Sequence, residues 1–108
     1  MATDHDFIEY IMDQISELEE TRYRKMFGEY ALYYRDKVMG LVCDNQIFLK
    51  VTEAGKVFVT NPEYGKPYPG AKDSFLVTDK LEDSDWLCEL IKISEPEIIK
   101  PKKRKKKN

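Results

Sequence analysis

Residues 30–51 read YALYYRDKVMGLVCDNQIFLKV, three apolar runs separated by two short polar turns. The first run alternates between two sets of side chains, as a strand requires. The second run, residues 38–43, is apolar on both faces and indicates a central strand, in which Gly40 marks a bulge or a close contact. Asp44 and Asn45 tolerate a positive φ and predict a tight hairpin turn. The stretch therefore predicts three consecutive antiparallel strands, a β-meander.

Helical periodicity lies on both sides of the meander. Residues 4–20 carry apolar side chains at three- and four-residue spacing, which predicts an amphipathic helix with Thr3 as its N-cap. Residues 81–94 predict a second helix, with acidic residues at its start and Pro96 as the limit to its extension.

Three shorter elements are predicted between the meander and the second helix. Residues 52–58 indicate a short helix with Thr52 as its cap, and residues 74–78 indicate a strand. Residues 61–70 hold three prolines and two glycines, which predicts a stiff, non-repetitive loop. The predicted fold class is therefore α+β, an antiparallel sheet flanked by an N-terminal and a C-terminal helix.

The size and composition of the chain limit its class and compartment. Its 108 residues, 42% of them apolar, are enough for one domain with one core. No run of about 18 apolar residues is present, so no membrane span is expected. The acidic N-terminus lacks the basic segment and apolar stretch of a secretory signal. A cytoplasmic location is therefore expected.

The charge is distributed unevenly along the chain. Residues 100–108 contain seven of the 18 basic residues and no acidic one. Residues 1–99 therefore carry 11 basic and 20 acidic residues, a net charge of −9. A body this acidic repels nucleic acid at long range, so any binding to a polyanion is expected from the C-terminal end.

Residue types that carry chemistry are few and scattered. Cys43 and Cys88 belong to no metal-binding motif, so two reduced cysteines that act as small apolar residues are expected. His5 is the only histidine and has no cysteine or serine partner nearby in sequence. No phosphate-binding glycine motif is present. We expect no enzymatic activity, no cofactor and no metal, and a small enzyme with a cleft under the 61–70 loop stays a minor hypothesis.

A group of basic and aromatic residues has two interpretations. Arginine and tyrosine supply contact area and directed hydrogen bonds, so the group could form a binding face. The simpler interpretation, which we favour, is that the tyrosines pack in the sheet while the cations offset the glutamates that end the first helix. The residues are Arg22, Arg24, Lys25, Tyr30, Tyr33 and Tyr34.

The C-terminal basic run consists of Lys102, Lys103, Arg104, Lys105, Lys106 and Lys107. One interpretation is an electrostatic arm that contacts DNA or RNA phosphates without reading bases. The other is a solvated end, able to fold back onto the acidic body. Both interpretations stay open. Two prolines precede the run, so we divide the chain into a folded domain at 1–95 and a flexible basic tail at 96–108.

The order of motifs resembles one protein family. The motifs are Arg-Lys-Met-Phe-Gly at 24–28, the end of the meander, Phe-Leu-Lys-Val, at 48–51, and Tyr-Pro-Gly-Ala-Lys at 68–72. Together with the flanking helices they resemble the N-terminal domain of the TfoX/Sxy family over roughly residues 7–93. The resemblance implies an antiparallel sheet of about five strands flanked by helices, and it implies no catalytic residues.

The resemblance also carries an expectation about function. Family members regulate natural competence in bacteria and act in transcription alongside another DNA-binding factor. Full-length regulators carry a second, helical domain, whereas this chain ends in the basic tail. We therefore expect a stand-alone, non-enzymatic regulatory or protein-interaction domain with a protein partner. The alternative is a weak, sequence-nonspecific nucleic-acid binder that acts through the tail, and a homodimer through an uncovered sheet edge stays open.

Overall fold

An antiparallel sheet of six strands forms the centre of the computed structural model, which describes residues 3–26 and 28–99. The strands are β1 (Thr21–Met26), β2 (Glu29–Tyr34), β3 (Lys37–Cys43), β4 (Gln46–Lys50), β5 (Tyr64–Gly65) and β6 (Ser74–Val77). Their order across the sheet is β1-β2-β3-β4-β6-β5. The first four strands form a continuous meander, which confirms the prediction made from residues 30–51.

A layer of helices covers one face of this sheet. The helices are α1 (His5–Gln14), α2 (Glu53–Phe58) and α3 (Ser84–Ser94), and a short 3-10 turn, Glu95–Glu97, follows α3. Their apolar stripes pack onto alternate sheet residues because side chains of one strand point to opposite faces in turn. The centre of this core consists of Ile8, Ile11, Ile15, Leu32, Met39, Val42, Ile47, Phe75, Leu87, Leu90 and Ile91. The fold is α+β, as predicted.

The first helix is shorter than the sequence predicts. It ends at Gln14, and the hydrogen bonds from Ser16 to Asp13 and from Leu18 to Ile15 then tighten the chain into turns. The last helical turn has no basic residue, and the glutamates at 17, 19 and 20 would oppose the helix dipole if the helix continued. Leu18 remains buried after the helix has ended.

Thr3 is not the N-cap that the sequence predicts. Asp4 occupies the cap position of α1, and Thr3 is buried instead. Its hydroxyl donates to Glu29 Oε1 at 2.5 Å and accepts from the backbone N–H of Asn45 at 3.2 Å. Thr3 therefore ties the start of the chain to the sheet, because a buried hydroxyl is more stable with such partners.

The sheet begins one strand earlier than predicted. β1 pairs with β2 in register from Thr21 opposite Tyr34 to Met26 opposite Glu29. A bulge then places Met39 as an extra residue of β3, because the β2–β3 register shifts between Leu32 and Tyr33.

Two local predictions within the meander and after it are confirmed. Asp44 and Asn45 have φ values of 53° and 57°, so both take the left-handed conformation that a two-residue hairpin requires. The Thr52 hydroxyl accepts a hydrogen bond from Gly55 N–H at 2.9 Å and caps α2.

The described core extends beyond the last α-helix. Ile98 is 6% exposed and packs in the core, and the Glu97 carboxylate accepts from the backbone N–H groups of Glu53 and Ala54, both at 2.8 Å. Residues up to 98 are therefore structural parts of the body. None of the helices in the described ranges is long and apolar enough to cross a membrane.

Candidate interaction surface

The second face of the sheet carries no described helix, and we call it the open face. The strand registers place Arg24, Ala31, Leu41, Phe48 and Leu76 in one row across its centre. Ala31 and Phe48 are buried, whereas Leu41 and Leu76 are half-buried. The open face therefore has an apolar centre that no described helix covers.

The loop between β5 and β6 lies across this face. Pro67 and Tyr68 border two hollows together with Leu41, so the loop forms a strap over the centre of the sheet. The prolines at 67 and 69 fix their own φ angles and stiffen this strap. The predicted non-repetitive loop at 61–70 is thus partly wrong, because Tyr64–Gly65 pair with β6 as strand β5, and only the segment after β5 shapes the open face.

The first hollow, which we call the lysine hollow, has a volume of about 660 Å³. Leu41 and Phe48 form its apolar floor, and Ala71 lies in its wall on the side of the strap. Lys50 from β4 and Lys72 from the strap bring two ammonium groups to its lining. The lysine hollow thus combines an apolar floor with positive charge, which suits an anion that has an apolar part.

The second hollow, which we call the cysteine hollow, has a volume of about 620 Å³. It is lined by Met26, Cys43 and Pro69, with Asp44 at its acidic side. Burial raises the pKa of the Cys43 thiol above its ordinary value, and the nearby Glu29 and Asp44 carboxylates raise it further. Cys43 is therefore a protonated thiol at neutral pH and a weak nucleophile.

Several cations of the open face have no acidic partner within the described ranges. Arg24, Lys50 and Lys72 form no ion pair there. Partial burial lowers the pKa of the Lys50 ammonium, although its side chain reaches solvent. Asp73, which also borders the lysine hollow, is paired with Lys66 at 2.7 Å. A negatively charged group in this hollow would consequently meet cations that are not yet neutralised.

The interpretation of the basic and aromatic group is partly confirmed. Tyr30 is buried, and Tyr33 and Tyr34 are half-buried in the sheet, as the packing interpretation predicts. The cations, however, do not offset the glutamates after α1. Arg22 stacks on Tyr33, with 4.1 Å between the guanidinium carbon and the ring centroid, and it also pairs with an aspartate of the β2–β3 turn.

That part of the interpretation was wrong because β1 carries its cations away from the glutamates. Alternation along β1 places Arg22 and Arg24 on the open face. Arg35 of the β2–β3 turn pairs with Glu20 instead, at 3.2 Å. The open face therefore receives two arginines that the sequence interpretation assigned to helix ends.

The remaining reactive residues lie away from one another. Cys43 and Cys88 are both free and buried, as predicted, and burial also raises the pKa of Cys88. His5 begins α1 on the helix side, where its imidazole lies 3.4 Å from Glu9 and 3.4 Å from the Tyr23 hydroxyl. Within residues 3–26 and 28–99, no three His, Cys, Asp or Glu side chains group together as metal ligands.

Two predicted features lie outside the described residues. The candidate nucleic-acid contacts at Lys102, Lys103, Arg104, Lys105, Lys106 and Lys107 are among them, as is Phe27 of the motif at 24–28. Conversely, the sequence showed Lys50 and Lys72 only as members of the motifs at 48–51 and 68–72, and neither was predicted as a site residue. The sequence did indicate the position of Lys50. Lys50 lies two residues after Phe48 in the same strand, so both side chains point to the same face of the sheet.

The fold and the open face together define a small α+β domain with one helix layer and one helix-free sheet face. The family model of the TfoX N-terminal domain matches residues 13–97, most of the chain. The chain therefore belongs to the TfoX N-terminal domain family, as the motifs at 24–28 and 68–72 suggested.

A curated relative is similar along nearly the whole length. It is described as "Uncharacterized 12.7 kDa protein in trpE 5'region" of Spirochaeta aurantia, and the two chains are 43% identical over 107 residues. The match spans 99% of this chain and 93% of the relative.

Proposed function

We propose that this protein is a non-enzymatic regulatory module of the cytoplasm that binds another protein through its open face. The observation that carries the proposal is the apolar centre of that face, at Leu41 and Leu76, next to the cations Arg24, Lys50 and Lys72. Stable protein interfaces combine an apolar centre with polar and charged groups at the rim.

The family supports this proposal. The TfoX N-terminal domain family is not a known enzyme family, and the resemblance to competence regulators suggests a role in bacterial transcription. The other side of the sheet packs against α1 and α3, so the open face is the side of the sheet that no described helix covers.

Affinity capture from cell lysate, followed by mass spectrometry, tests the proposal. The bait is the full chain, compared with the double variant Arg24→Glu/Lys50→Glu, which reverses two exposed charges of the open face. The matched control is Lys56→Glu/Lys92→Glu, because both lysines are exposed and lie on helices. We expect a partner that the wild type and the control retain and that the open-face variant loses.

Two outcomes would contradict the proposal. One is the absence of any specific partner, and the other is a partner that both double variants retain equally well. Far-UV circular dichroism of each variant shows whether the fold is preserved, since the four side chains are exposed and their replacement leaves the core intact.

A second candidate function is weak, sequence-nonspecific binding of nucleic acid by the basic tail. The observation that favours it is the run of six consecutive basic residues at 102–107. Gel shifts at low salt should compare the full chain with a chain that ends at Ile99, which keeps the buried Ile98. We expect binding by the full chain alone, with a log–log salt slope of up to about −6 on duplex DNA. Equal retention by both forms would remove this candidate.

A further inference from the structure

We propose that the lysine hollow binds an acidic peptide segment, with one apolar side chain of the peptide on the hollow floor and its carboxylates at Lys50 and Lys72. This inference rests on the proposed interaction function and specifies the chemistry of the partner.

The shape of the hollow suits a side chain that enters from outside. Its volume of about 660 Å³ lies within the range of ligand sites in proteins, which is roughly 300–1,000 Å³. The floor is preformed, since Leu41 and Phe48 face each other in the β3–β4 register and Phe48 is only 5% exposed. An aromatic or aliphatic side chain placed against Leu41 would remove apolar surface from water, which favours binding.

The charge of the hollow selects the groups beside that side chain. Lys50 and Lys72 have no ion-pair partner in the described part of the chain, and the nearby Asp73 is held by Lys66. A carboxylate at Lys50 would favour the charged ammonium, which partial burial disfavours in the free protein. A cationic segment would instead meet like charges, so the chain's own lysine-rich end is not the occupant.

The strap restricts the shape of the occupant. Pro67, Tyr68 and Lys72 line the hollow opposite Leu41, so the strap narrows the space above the floor. An extended segment needs only one inserted side chain, while its neighbours remain at the rim. The geometry therefore favours a peptide segment over the folded helix side of a second copy.

An NMR titration of the full-length protein tests this inference. The probe is N-acetyl-Phe-Glu-amide, which carries one apolar side chain next to one carboxylate, and its binding is followed up to millimolar concentration on ¹H–¹⁵N spectra. N-acetyl-Phe-Lys-amide and N-acetyl-Ala-Glu-amide serve as probes that lack the charge or the apolar side chain. We expect saturable shifts at Leu41, Lys50 and Ala71 with the first probe only.

Variants connect the shifts to the two lysines. We expect Lys50→Gln/Lys72→Gln to weaken binding of the probe by about fivefold, the effect of losing solvent-screened charge contacts. The matched control is Lys25→Gln, because Lys25 is also exposed and has no described ion pair but lies on the opposite face of the sheet. The pKa of Lys50, followed on a ¹³C-labelled side chain, should rise when the probe binds.

Several results would overturn the inference. The peptide site would be refuted by shifts that are absent, that lie elsewhere, or that the Lys50→Gln/Lys72→Gln variant leaves unchanged. Equal affinity for 3-phenylpropionate would assign the hollow to a small amphipathic anion instead. If the chemical shifts of residues in the lysine hollow change when the protein is diluted, the occupant of the hollow would be a second copy of this chain. In each case the capture experiment with the open-face variant still decides the interaction function separately.

Discussion

At Gly40 the absence of a side chain allows β3 and β4 to approach each other closely at the centre of the sheet. A Cβ atom at this position would lie 2.1 Å from the Phe48 carbonyl oxygen and 2.9 Å from Leu49 Cα. Both contacts are to backbone of β4, which is itself paired on both sides, so β4 cannot retreat from an added methyl group. The glycine is required by close strand approach after the bulge at Met39.

Gly40→Ala should therefore lower the free energy of unfolding by about 3 kcal/mol, at the upper end of the cost of overpacking. Gly70→Ala is the matched control, because a Cβ there meets nothing within 4 Å and only the φ of 89° is unfavourable. We expect that control to cost about 1 kcal/mol. Urea unfolding followed by circular dichroism measures both, and equal costs would show that β4 yields to the added atom.

The two thiols predict a dependence on pH. Burial raises the pKa of Cys43 and of Cys88 above the ordinary value of 9.0, so the folded chain binds these protons more tightly than the unfolded chain. Their contribution to stability is present below pH of about 9 and is lost as the pH rises through the native pKa values. Stability should fall on the alkaline side, and less so in Cys43→Ala/Cys88→Ala.

Thiol reactivity checks the same feature more directly. With a disulfide reagent at neutral pH we expect two thiols to react quickly in denaturant and slowly in the folded protein. Rapid reaction of Cys43 in the native state would mean that the cysteine hollow exposes its sulfur to reagents.

At the level of elements, α2 depends on groups that come from two directions. Thr52 caps it locally and also hydrogen-bonds the Ser94 hydroxyl of α3 at 2.9 Å. Glu97 supplies both carboxylate oxygens to the first backbone N–H groups of the helix. A helix of six residues is too short to be stable alone, so these contacts hold it.

Glu97→Ala should destabilise the protein by about 1–2 kcal/mol, since two N–H groups at the helix start lose their acceptor. Glu53→Ala is the control, because Glu53 is exposed and pairs only with Lys56 at 3.2 Å. We expect less than about 0.5 kcal/mol for that change. Thermal unfolding of the two variants distinguishes them, and a similar shift in both would show that water replaces the Glu97 cap.

The elements that sequence predicted correctly are those whose cause is local. The meander follows from alternation and from turn residues such as Asn45, and α2 follows from the cap at Thr52. β1 was missed because Arg22 and Arg24 give its outer face no apolar pattern, and its conformation comes from pairing with β2. Thr3 was misassigned because the side-chain and backbone partners of its hydroxyl are 26 or more residues away.

At the scale of the whole molecule, both faces of the body carry charges of both signs, but exposed acids are numerous on the helix layer and several cations gather on the open face. The exposed acids of the helix layer include Asp6, Glu9, Asp13, Asp85 and Glu89. The open face presents Arg22, Arg24 and Lys50. The net charge of residues 1–99 does not reveal this group of cations, and the expectation that binding to a polyanion comes from the C-terminal end stays a prediction.

The candidate site shows the limit of sequence reasoning most clearly. Alternation in β4 is sufficient to place Lys50 on the face opposite Leu49. The composition of residues 61–70 predicted a stiff loop, but its path across Leu41 depends on contacts between distant parts of the chain. The lysine hollow could therefore be recognised only after the sheet and the strap were both in place.

The edge strand β1 makes a prediction about self-association. A homodimer that pairs β1 with its copy would bring Arg22, Arg24 and Lys25 near the same cations, with no acid in the strand to offset them. Such a dimer should become tighter as salt screens the repulsion. Sedimentation equilibrium at low and high salt measures this, and weaker association at high salt would place a dimer contact elsewhere.

The burial of Ile98 among the helices has a practical consequence for a label or a fusion partner that is attached after Ile99. Since the Glu97 carboxylate binds the start of α2, the described part of the chain ends on the helical side of the sheet, and the strap and both hollows lie on the other side. A fluorophore, a bead or a fused reporter joined directly to a chain that ends at Ile99 should leave the strap-bearing surface unobstructed. Immobilisation by the opposite terminus, where Thr3 sits against Asn45 and Glu29, would crowd the rim beside Cys43.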